Sequence, residues 1–327
     1  MTIKVAFLGP EGTYTHQAVI QQFGNDREHV QIYPAKSIGD CFRAINAEDV
    51  DYAVVPFENS TNGQVVYTYD LIRDWFIPSL QSKHTQPNIS SSTVLSPSAT
   101  SVPRFKIVAE QFVAIHHNFL TNAENLEDIK TIYSHPQVWT QVGKFLSSKE
   151  IPAHAAKIDS PSTSKAAELV YEDKTNTTAC ISSQMSADLY GLPVRFPNVE
   201  DNVNNTTRFL VLGYKEPPTP PKDEEDDKSG SMVTSIIFTL NHDDPGALCD
   251  VLIEFKKNGV SLTSINSRPS HLKQWQYVFF AEIVGDLSSD HNIEESIREA
   301  SKTCQELVIL GTFKRSWRYW SSASSKE

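Results

Sequence analysis

Glu58, Asn59 and Ser60 place three chemically useful side chains at one point of the sequence. They follow directly on the largely apolar segment 51–57, "DYAVVPF". A carboxyl, an amide and a hydroxyl in succession can position a polar substrate or transfer a proton. Asn and Ser followed by Gly63 are also common in surface turns, so this segment taken alone allows either interpretation.

Two other segments place hydroxyl groups where a helix is predicted to begin. The first is "GPEGTYTHQA" at 9–18, which contains Thr13, and the second is "SPSTS" at 160–164, which contains Ser162 and Thr163. The free N–H groups at the start of a helix form a binding site for anions. The same Ser and Thr residues are good N-caps, so an ordinary helix start is the alternative. Neither segment is a P-loop, because no Gly-Lys-Ser/Thr follows.

Thr207 and Arg208 precede the apolar segment "FLVLG" at 209–213. Arg208 could bind a carboxylate through two hydrogen bonds, and Thr207 could donate a hydrogen bond to a departing hydroxyl. A surface ion pair is the alternative for Arg208. The sequence contains no H-E-x-x-H or C-x-x-C pattern, so we expect no metal site.

The composition excludes several classes of function. The net charge is −11 at pH 7, which disfavours nucleic acid as a partner because such binding needs clustered Lys and Arg. No apolar segment is long enough to cross a membrane. The first residues, "MTIKVAFLGPEG", lack the features of a secretory signal, and the four cysteines are far apart. We therefore expect a cytoplasmic protein with reduced thiols.

The hydrophobic pattern indicates the elements that must position these residues. Strand and helix patterns alternate through residues 3–59 and again through 105–183. Two such series predict an α/β region made of two subdomains with a cleft between them. In this interpretation a strand over 105–117 opens the second series, and a single helix covers 138–148. The Ser-, Thr- and Pro-rich stretch 79–103 favours no packed element.

A change of composition divides the chain. Residues 215–231 contain four prolines and then a run of five acids, which is typical of a solvated linker. We therefore predict one domain over 1–214 and another over 232–320. The pattern of the second is β-α-β-β-α-β, the order of a ferredoxin-like fold. Pro245 is expected in the first turn of its first helix and Gly259 at the end of that helix.

Together, six motifs resemble the prephenate dehydratase family in their order and approximate spacing: "GPEGTYTHQA", "VVPFENSTNG", "YSHPQ", "STSKAA", "TTACISS" and "NNTTRFLVLG". The later segment "DDPGALCDVLIEFKKNGVSLTSINSRPS" resembles the ACT domain usually joined to that enzyme. The resemblance implies conversion of prephenate to phenylpyruvate, carbon dioxide and water in phenylalanine biosynthesis, without a metal or organic cofactor. It also implies a catalytic region similar to type II periplasmic binding proteins, in which the strand 207–214 returns to the first subdomain.

The resemblance also implies roles for individual residues. Thr207 belongs to the "TRF" motif that is tied most closely to catalysis, and we expect it to polarise or protonate the leaving hydroxyl. Glu58 would share this work, and Arg208 would fix a carboxylate or shape the cleft. The expected substrate contacts are Thr13, Asn59, Ser60, Ser162, Thr163, Asn205 and Phe209.

In the C-terminal domain the resemblance implies a phenylalanine site made of two motifs, "GAL" and "NSRP". The expected effector-binding residues are Gly246, Ala247, Leu248, Asn266, Ser267, Arg268 and Pro269. Asn266 stands where the family has Glu, and this difference bears on the strength of feedback inhibition. ACT domains of this family pair between subunits, which implies a homodimer or homotetramer. Inhibition then requires two states with different affinity for phenylalanine.

Two other functions stay open. Arogenate dehydratase shares the whole architecture and differs by an amino group on its substrate, but the sequence has no Ser/Arg-rich leader of the plastid type. The implied fold also serves solute-binding proteins, so a non-catalytic small-molecule sensor is the alternative from another class. The intact "TTRF" motif at 206–209 weighs against a sensor.

Overall fold

A computed structural model describes residues 2–81, 102–220, 231–241, 243–316 and 318–319. Most of the stretch predicted to be irregular lies outside the described residues, and so does the acidic run of the predicted linker. No helix within the described ranges is long and apolar enough to cross a membrane.

A six-stranded sheet forms the centre of the first subdomain. Its first five strands are β1 (Ile3–Leu8), β2 (Val30–Ala35), β3 (Tyr52–Asn59), β4 (Gly63–Gln64) and β5 (Lys106–Ala114). The helices beside it are α1 (Tyr14–Phe23), α2 (Ile38–Asn46), α3 (Val66–Phe76) and α4 (Pro78–Gln81). Strand β1 pairs in parallel with β2 and β3. Separate apolar cores lie on its two faces, one beneath α1 and the other beneath α2 and α3, which explains the continuous apolar runs of these strands.

The second subdomain has a five-stranded sheet of its own. Its strands are β6 (Asn118–Thr121), β7 (Thr131–Ser134), β8 (Ala156–Asp159), β9 (Thr178–Ser182) and β10 (Val194–Phe196). Its helices are α5 (Pro136–Trp139), α6 (Gly143–Leu146), α7 (Thr163–Glu172) and α8 (Gln184–Tyr190). The strand order is β10-β6-β9-β7-β8. Two apolar clusters of this subdomain are separate from those of the first.

Strand β11 (Thr206–Gly213) returns to the first subdomain and completes its sheet between β3 and β5, antiparallel to both. The expected return of this strand is confirmed. The chain crosses between the two subdomains twice, at 115–117 and at 197–205, and these two crossings lie side by side. The N–H of Val199 donates to the carbonyl oxygen of His117 at 2.7 Å, and the N–H of Ile115 donates to that of Asn205 at 2.8 Å.

Two predictions from the pattern are wrong. Strand β5 does not open the second subdomain, because it pairs with β11 over its whole length and so belongs to the first sheet. The single helix predicted over 138–148 is two short helices. The carboxylate of Asp201 accepts hydrogen bonds from the N–H groups of Gly143 at 2.8 Å and Lys144 at 3.0 Å, and these bonds start a second helix.

The C-terminal domain has the predicted β-α-β-β-α-β order. Its elements are β12 (Met232–Leu240), α9 (Ala247–Lys257), β13 (Leu262–Pro269), β14 (Tyr277–Val284), α10 (His291–Thr303) and β15 (Cys304–Lys314). All pairs in its sheet are antiparallel, in the order β13-β14-β12-β15. Pro245 lies before the N-cap Gly246 and therefore outside the first turn, whereas Gly259 follows the C-cap with φ +68°, as predicted.

The sheet of the C-terminal domain packs directly on the first subdomain. Helices α9 and α10 cover one of its faces. The other face contributes Ile237 and Phe280 to the same apolar core as Phe57 and Tyr69. The rings of Tyr69 and Phe280 meet edge to face with centroids 4.9 Å apart. At Gly311 the backbone of β15 lies so close to β5 that a side chain would overlap the Ile107 carbonyl, so only glycine fits.

Candidate active site

The register between β3 and β11 brings together the candidate segments that contain Asn59 and Thr207. Thr207 lies opposite Asn59, and Arg208 lies opposite Glu58. The side-chain amide of Asn59 donates to Oγ1 of Thr207 at 2.9 Å and to Oδ1 of Asn205 at 2.8 Å. Because Oγ1 of Thr207 accepts this bond, the hydroxyl proton of Thr207 can point towards a further acceptor.

A chain of hydrogen bonds continues from this pair into the second subdomain. The side-chain amide of Asn205 donates to Oε1 of Gln141 at 2.9 Å. Nε2 of His117 lies 2.9 Å from the same oxygen. His117 and Asn205 belong to the two crossings, so Gln141 links the crossings to the second subdomain. The Thr207 hydroxyl is therefore connected through hydrogen bonds to both crossings.

Two titratable groups beside these crossings have shifted pKa values. The hydroxyl of Tyr14 donates to the carbonyl oxygen of His116 at 2.7 Å and lies 3.1 Å from Nδ1 of His117. Burial lowers the pKa of His117 and raises the pKa of Tyr14, to which the nearby charge of Glu200 adds. Sequence reasoning missed Tyr14, His117 and Gln141, because nothing in their local sequence indicates that they meet.

The carboxyl group of Glu58, the chain neighbour of Asn59, has a raised pKa. It is half-buried, and within the described ranges its carboxylate makes no hydrogen bond or ion pair. Loss of hydration is the main cause that raises its pKa, and the charge of Glu282 adds to the increase. The charge of Arg208 opposes it. Glu58 therefore keeps its proton to a higher pH than an exposed glutamate.

Arg208 does not point a free guanidinium into the cleft. Its Nη1 and Nη2 donate to the two carboxylate oxygens of Glu282 at 2.9 and 2.7 Å, and its Nε donates to Glu110 at 2.8 Å. Arg315 completes the group through Glu110, at 3.1 Å. All four side chains are buried. These contacts place Arg208 in the interface with the C-terminal domain and leave its predicted contact with a substrate carboxylate without structural support.

The loop 9–12 docks on the second subdomain. Oγ of Ser164 donates to the carbonyl oxygen of Glu11 at 2.5 Å. Oγ of Ser183 and Oγ of Ser186 each donate to that of Gly12 at 3.0 Å. Gly12 has φ +83°, and a side chain there would meet Oγ of Ser164 at 2.7 Å. Hydroxyl groups on α7 and α8 therefore join the two sides of the cleft, and sequence reasoning missed the role of Ser183 and Ser186.

Thr13, Ser162 and Thr163 lie at helix starts that meet at this junction. Thr13 caps α1 and also donates to the carbonyl oxygen of Pro10 at 2.9 Å. Ser162 caps α7, and Thr163 is its first residue. The hydroxyl of Ser160 just before α7 is buried and has no hydrogen-bond partner within the described part of the chain. The motifs thus act as N-caps, and two helix N-termini converge on one place.

The remaining expected substrate contacts differ in their exposure. Ser60 is exposed, and its Oγ accepts the N–H of Thr206 at 2.9 Å. Asn205 is buried within the hydrogen-bonded chain already described. Phe209 is only 2% exposed and packs in the core beneath α1. The substrate contact predicted for Phe209 is therefore without structural support, because its ring belongs to the core.

The expected effector residues lie on two faces of β13. Asn266 and Arg268 face the first subdomain, since their partners on β14, Phe280 and Val278, pack in the shared core. The amide of Asn266 donates to the hydroxyl of Tyr69 at 3.1 Å, and it accepts from Gln64. 

By strand alternation, Ser267 faces the side of the sheet that α9 and α10 cover. Gly246, Ala247 and Leu248 form the start of α9 on that side. Pro269 ends β13, and its carbonyl oxygen accepts from Arg73 at 2.8 Å. Asn266 and Arg268 therefore face away from the "GAL" motif, whereas Ser267 faces the same side of the sheet.

No group of three or more His, Cys, Asp or Glu side chains in the described ranges could hold a metal ion.

Two known protein families match this chain, one in each of its two parts. The prephenate dehydratase family matches residues 5–217, and the ACT domain family matches residues 234–300. The chain belongs to the prephenate dehydratase family. It is therefore an enzyme of phenylalanine biosynthesis that dehydrates prephenate, and its C-terminal domain is an ACT domain. The predicted family, activity and fold class are confirmed.

Individual relatives match over both domains. The chain is 36% identical over 343 residues to a probable prephenate dehydratase of Saccharomyces cerevisiae, with 98% of each chain covered. It is 30% identical to the prephenate dehydratase of Methanocaldococcus jannaschii, over 96% of this chain and 98% of that protein. A crystal structure of prephenate dehydratase from Arthrobacter aurescens in complex with L-Phe is 25% identical, with a TM-score of 0.74, and covers 98% of this chain and 97% of that chain.

The Asn59→Asp variant tests the orientation of the Thr207 hydroxyl. Oδ1 of Asn59 accepts the N–H groups of Thr61 and Asn62, and aspartate preserves these two bonds while it removes the amide donor. We expect kcat for prephenate to fall by about 10²-fold, because misplacing a reacting group by an ångström has that effect. The measurement is phenylpyruvate release. Asn62→Asp, which adds the same charge from an exposed side chain, should retain activity. Equal loss in both variants would mean that charge, not orientation, causes it.

Proposed function

We propose that prephenate is dehydrated at the junction of the two subdomains, where Thr207 polarises or protonates the leaving hydroxyl. The observation that carries this proposal is the hydrogen bond from Asn59 to Oγ1 of Thr207, because it directs the hydroxyl proton away from Asn59. Loss of carbon dioxide is driven by formation of the aromatic ring. The enzyme mainly has to orient the substrate and protonate the leaving group.

The anionic groups of prephenate are held by the converging starts of α1 and α7. The free N–H groups of a helix start carry partial positive charge. The hydrogen bond between Ser164 and Glu11 keeps these two helix starts adjacent. The hydroxyl of Ser160, which has no partner among the residues that the structure describes, supplies a further donor at α7. A locally positive site of this kind is needed, since the net charge of −11 repels a dianion.

Glu58 supplies the proton with which the leaving hydroxyl of prephenate departs as water. Threonine is a weak acid, and a carboxyl group with a raised pKa is a better proton source near neutral pH. Glu58 lies on β3 directly before Asn59, and its pKa is raised chiefly by burial. Thr207 then orients the leaving hydroxyl. Because Glu58 lies opposite Arg208, and its side chain points to the other face of β3 from that of Asn59, its proton reaches the hydroxyl through a bridging water and not by direct contact.

Replacing Thr207 with alanine should lower kcat strongly while the protein stays folded. The lost hydroxyl is the group that contacts the reacting bond, so we expect a decrease of about 10²-fold or more. The measurement is steady-state phenylpyruvate release together with thermal unfolding. Thr206→Ala is the matched control on the same strand. Turnover close to wild type in Thr207→Ala would remove Thr207 from the mechanism.

The role of Glu58 predicts a specific pH dependence. As a general acid it must be protonated, so kcat should decrease as the pH rises through its raised pKa. Glu58→Gln should lower kcat by about 10²-fold and abolish this alkaline decrease. The measurement is kcat between acid and alkaline pH for both proteins, with the exposed Glu150→Gln as control. An unchanged alkaline decrease in Glu58→Gln would assign the titration to another group.

L-Phenylalanine is the effector of the ACT domain, and the active assembly is a homodimer or homotetramer in the cytoplasm. The related protein from Arthrobacter aurescens was crystallised in complex with L-Phe. Strand β13 is an edge of its sheet, and exposed apolar side chains lie on it, on the turn after it and at the start of β14: Ile265 at 44%, Trp275 at 72% and Tyr277 at 39%. An edge strand with exposed apolar groups is a surface that a second subunit can cover.

Titration of L-phenylalanine into the full chain should release or absorb heat and should reduce turnover of prephenate, because effector binding favours a less active state. The measurement is calorimetry combined with kinetics, with D-phenylalanine as the control ligand. Asn266→Glu tests whether the residue usual in the family strengthens inhibition. Turnover and heat that are both insensitive to L-phenylalanine would contradict the effector assignment.

A further inference from the structure

A residue of the ACT domain holds both terminal nitrogens of Arg208. Nη1 donates to Oε2 of Glu282 at 2.9 Å, and Nη2 donates to Oε1 at 2.7 Å. Nε is held by Glu110 of β5. A planar guanidinium that is bound on all three nitrogens by two buried carboxylates can adopt only one orientation. Glu282 therefore fixes Arg208 from outside the catalytic region.

Arg208 is the chain neighbour of Thr207, and its pairing with β5 is continuous while its pairing with β3 is irregular. Arg208 lies opposite Glu58 and Phe209 lies opposite Pro56, so Phe57 is the extra residue on β3. Because one peptide unit joins Arg208 to Thr207, the anchored guanidinium of Arg208 restrains the backbone that carries Thr207.

Aromatic rings hold the guanidinium from two sides. Its central carbon lies 5.3 Å from the ring centroid of Phe57 and 5.8 Å from that of Phe112. These rings belong to β3 and β5, the two neighbours of β11. The carboxylate of Glu282 thus completes an enclosure whose other members all belong to the first subdomain.

We propose that Glu282 is a positioning residue for the dehydration: this carboxylate of the ACT domain anchors Arg208 and so holds the Thr207 hydroxyl at the reacting bond. The inference rests on the proposed role of Thr207. It makes the ACT domain a part of the catalytic apparatus. A small shift of β14 relative to β11 then changes the placement of Thr207, which gives an effector on the ACT domain a direct route to turnover.

Glu306 provides a matched comparison. It also belongs to the ACT domain and also crosses to the first subdomain, where its carboxylate accepts from the N–H of Ser79 at 3.0 Å and from its hydroxyl at 2.6 Å. Its partner lies on α4, whereas that of Glu282 lies on β11. Substituting glutamine for either residue removes one carboxylate from the same interface.

The test compares Glu282→Gln with Glu306→Gln in the full chain. We expect Glu282→Gln to lower kcat for prephenate by about 10²-fold while KM changes little, because a small misplacement of Thr207 affects the reaction more than binding. Glu306→Gln should keep kcat close to wild type. Glu282→Asp, which retains the charge, should recover part of the lost kcat. Thermal unfolding of each variant establishes that it is folded at the assay temperature.

The double variant Arg208→Gln/Glu282→Gln separates positioning from stability. It removes one charge of each sign and leaves the pair of Glu110 and Arg315, 3.1 Å apart, in place. We expect its melting temperature to recover relative to Glu282→Gln, whereas kcat stays low. If Glu282→Gln does not fold, the double variant decides the question.

Wild-type kcat in folded Glu282→Gln, or in the folded double variant, would overturn the proposal. A loss of kcat in Glu306→Gln equal to that in Glu282→Gln would also overturn it. Failure of the underlying function is recognised separately. It would appear as wild-type turnover in Thr207→Ala, a variant that keeps Glu282 and Arg208 intact.

Discussion

Strand β11 is hydrogen-bonded on both sides, to β3 and to β5, and the arrangement of the site depends on this double pairing. It places Thr207 beside Asn59 and Arg208 beside Glu110, although these pairs lie far apart in the sequence. The strand that carries Thr207 begins where the second crossing between the subdomains ends.

Burial of charge is the second constraint. Removing ions from water is costly, and a buried ion pair is tolerated only when its geometry and its remaining hydrogen bonds are good. The cluster of Arg208, Glu110, Glu282 and Arg315 contains equal numbers of positive and negative charges, and Ser316 supplies a further donor to Glu110 at 3.0 Å. Breaking such a pair by removal of one partner costs about 3–5 kcal/mol. Exchanging one member of this cluster alone therefore lowers the stability of the contact between the two domains.

Much of the fold could be predicted from the sequence, because periodicity and motif order are local signals. The β-α-β-β-α-β order of the ACT domain and the helix starts at Thr13 and Ser162 are of this kind. The placement of β5 could not be predicted, since an apolar segment does not indicate which sheet it joins. The break between α5 and α6 depends on Asp201, which lies on the second crossing. Local pattern cannot reveal a contact of that kind.

The sequence indicated candidate site residues but not their partners. The motifs predicted that Glu58, Asn59 and Thr207 belong to the site, and the structure brings Asn59 and Thr207 within hydrogen-bonding distance. Arg208 is a typical anion-binding residue by type, but its partner Glu282 belongs to another domain. Phe209 begins the part of β11 that is buried on both faces, so its ring lies in an apolar core whichever way it points.

The most direct test of the central claim is a kinetic comparison of prephenate with arogenate as substrates of the purified full chain. Phenylpyruvate is followed by its absorbance in base, and phenylalanine is followed as the product of arogenate. Our account predicts efficient turnover of prephenate and a much lower kcat/KM for arogenate. A preference for arogenate would contradict the substrate assignment, and no turnover of either compound would contradict the assignment of the site.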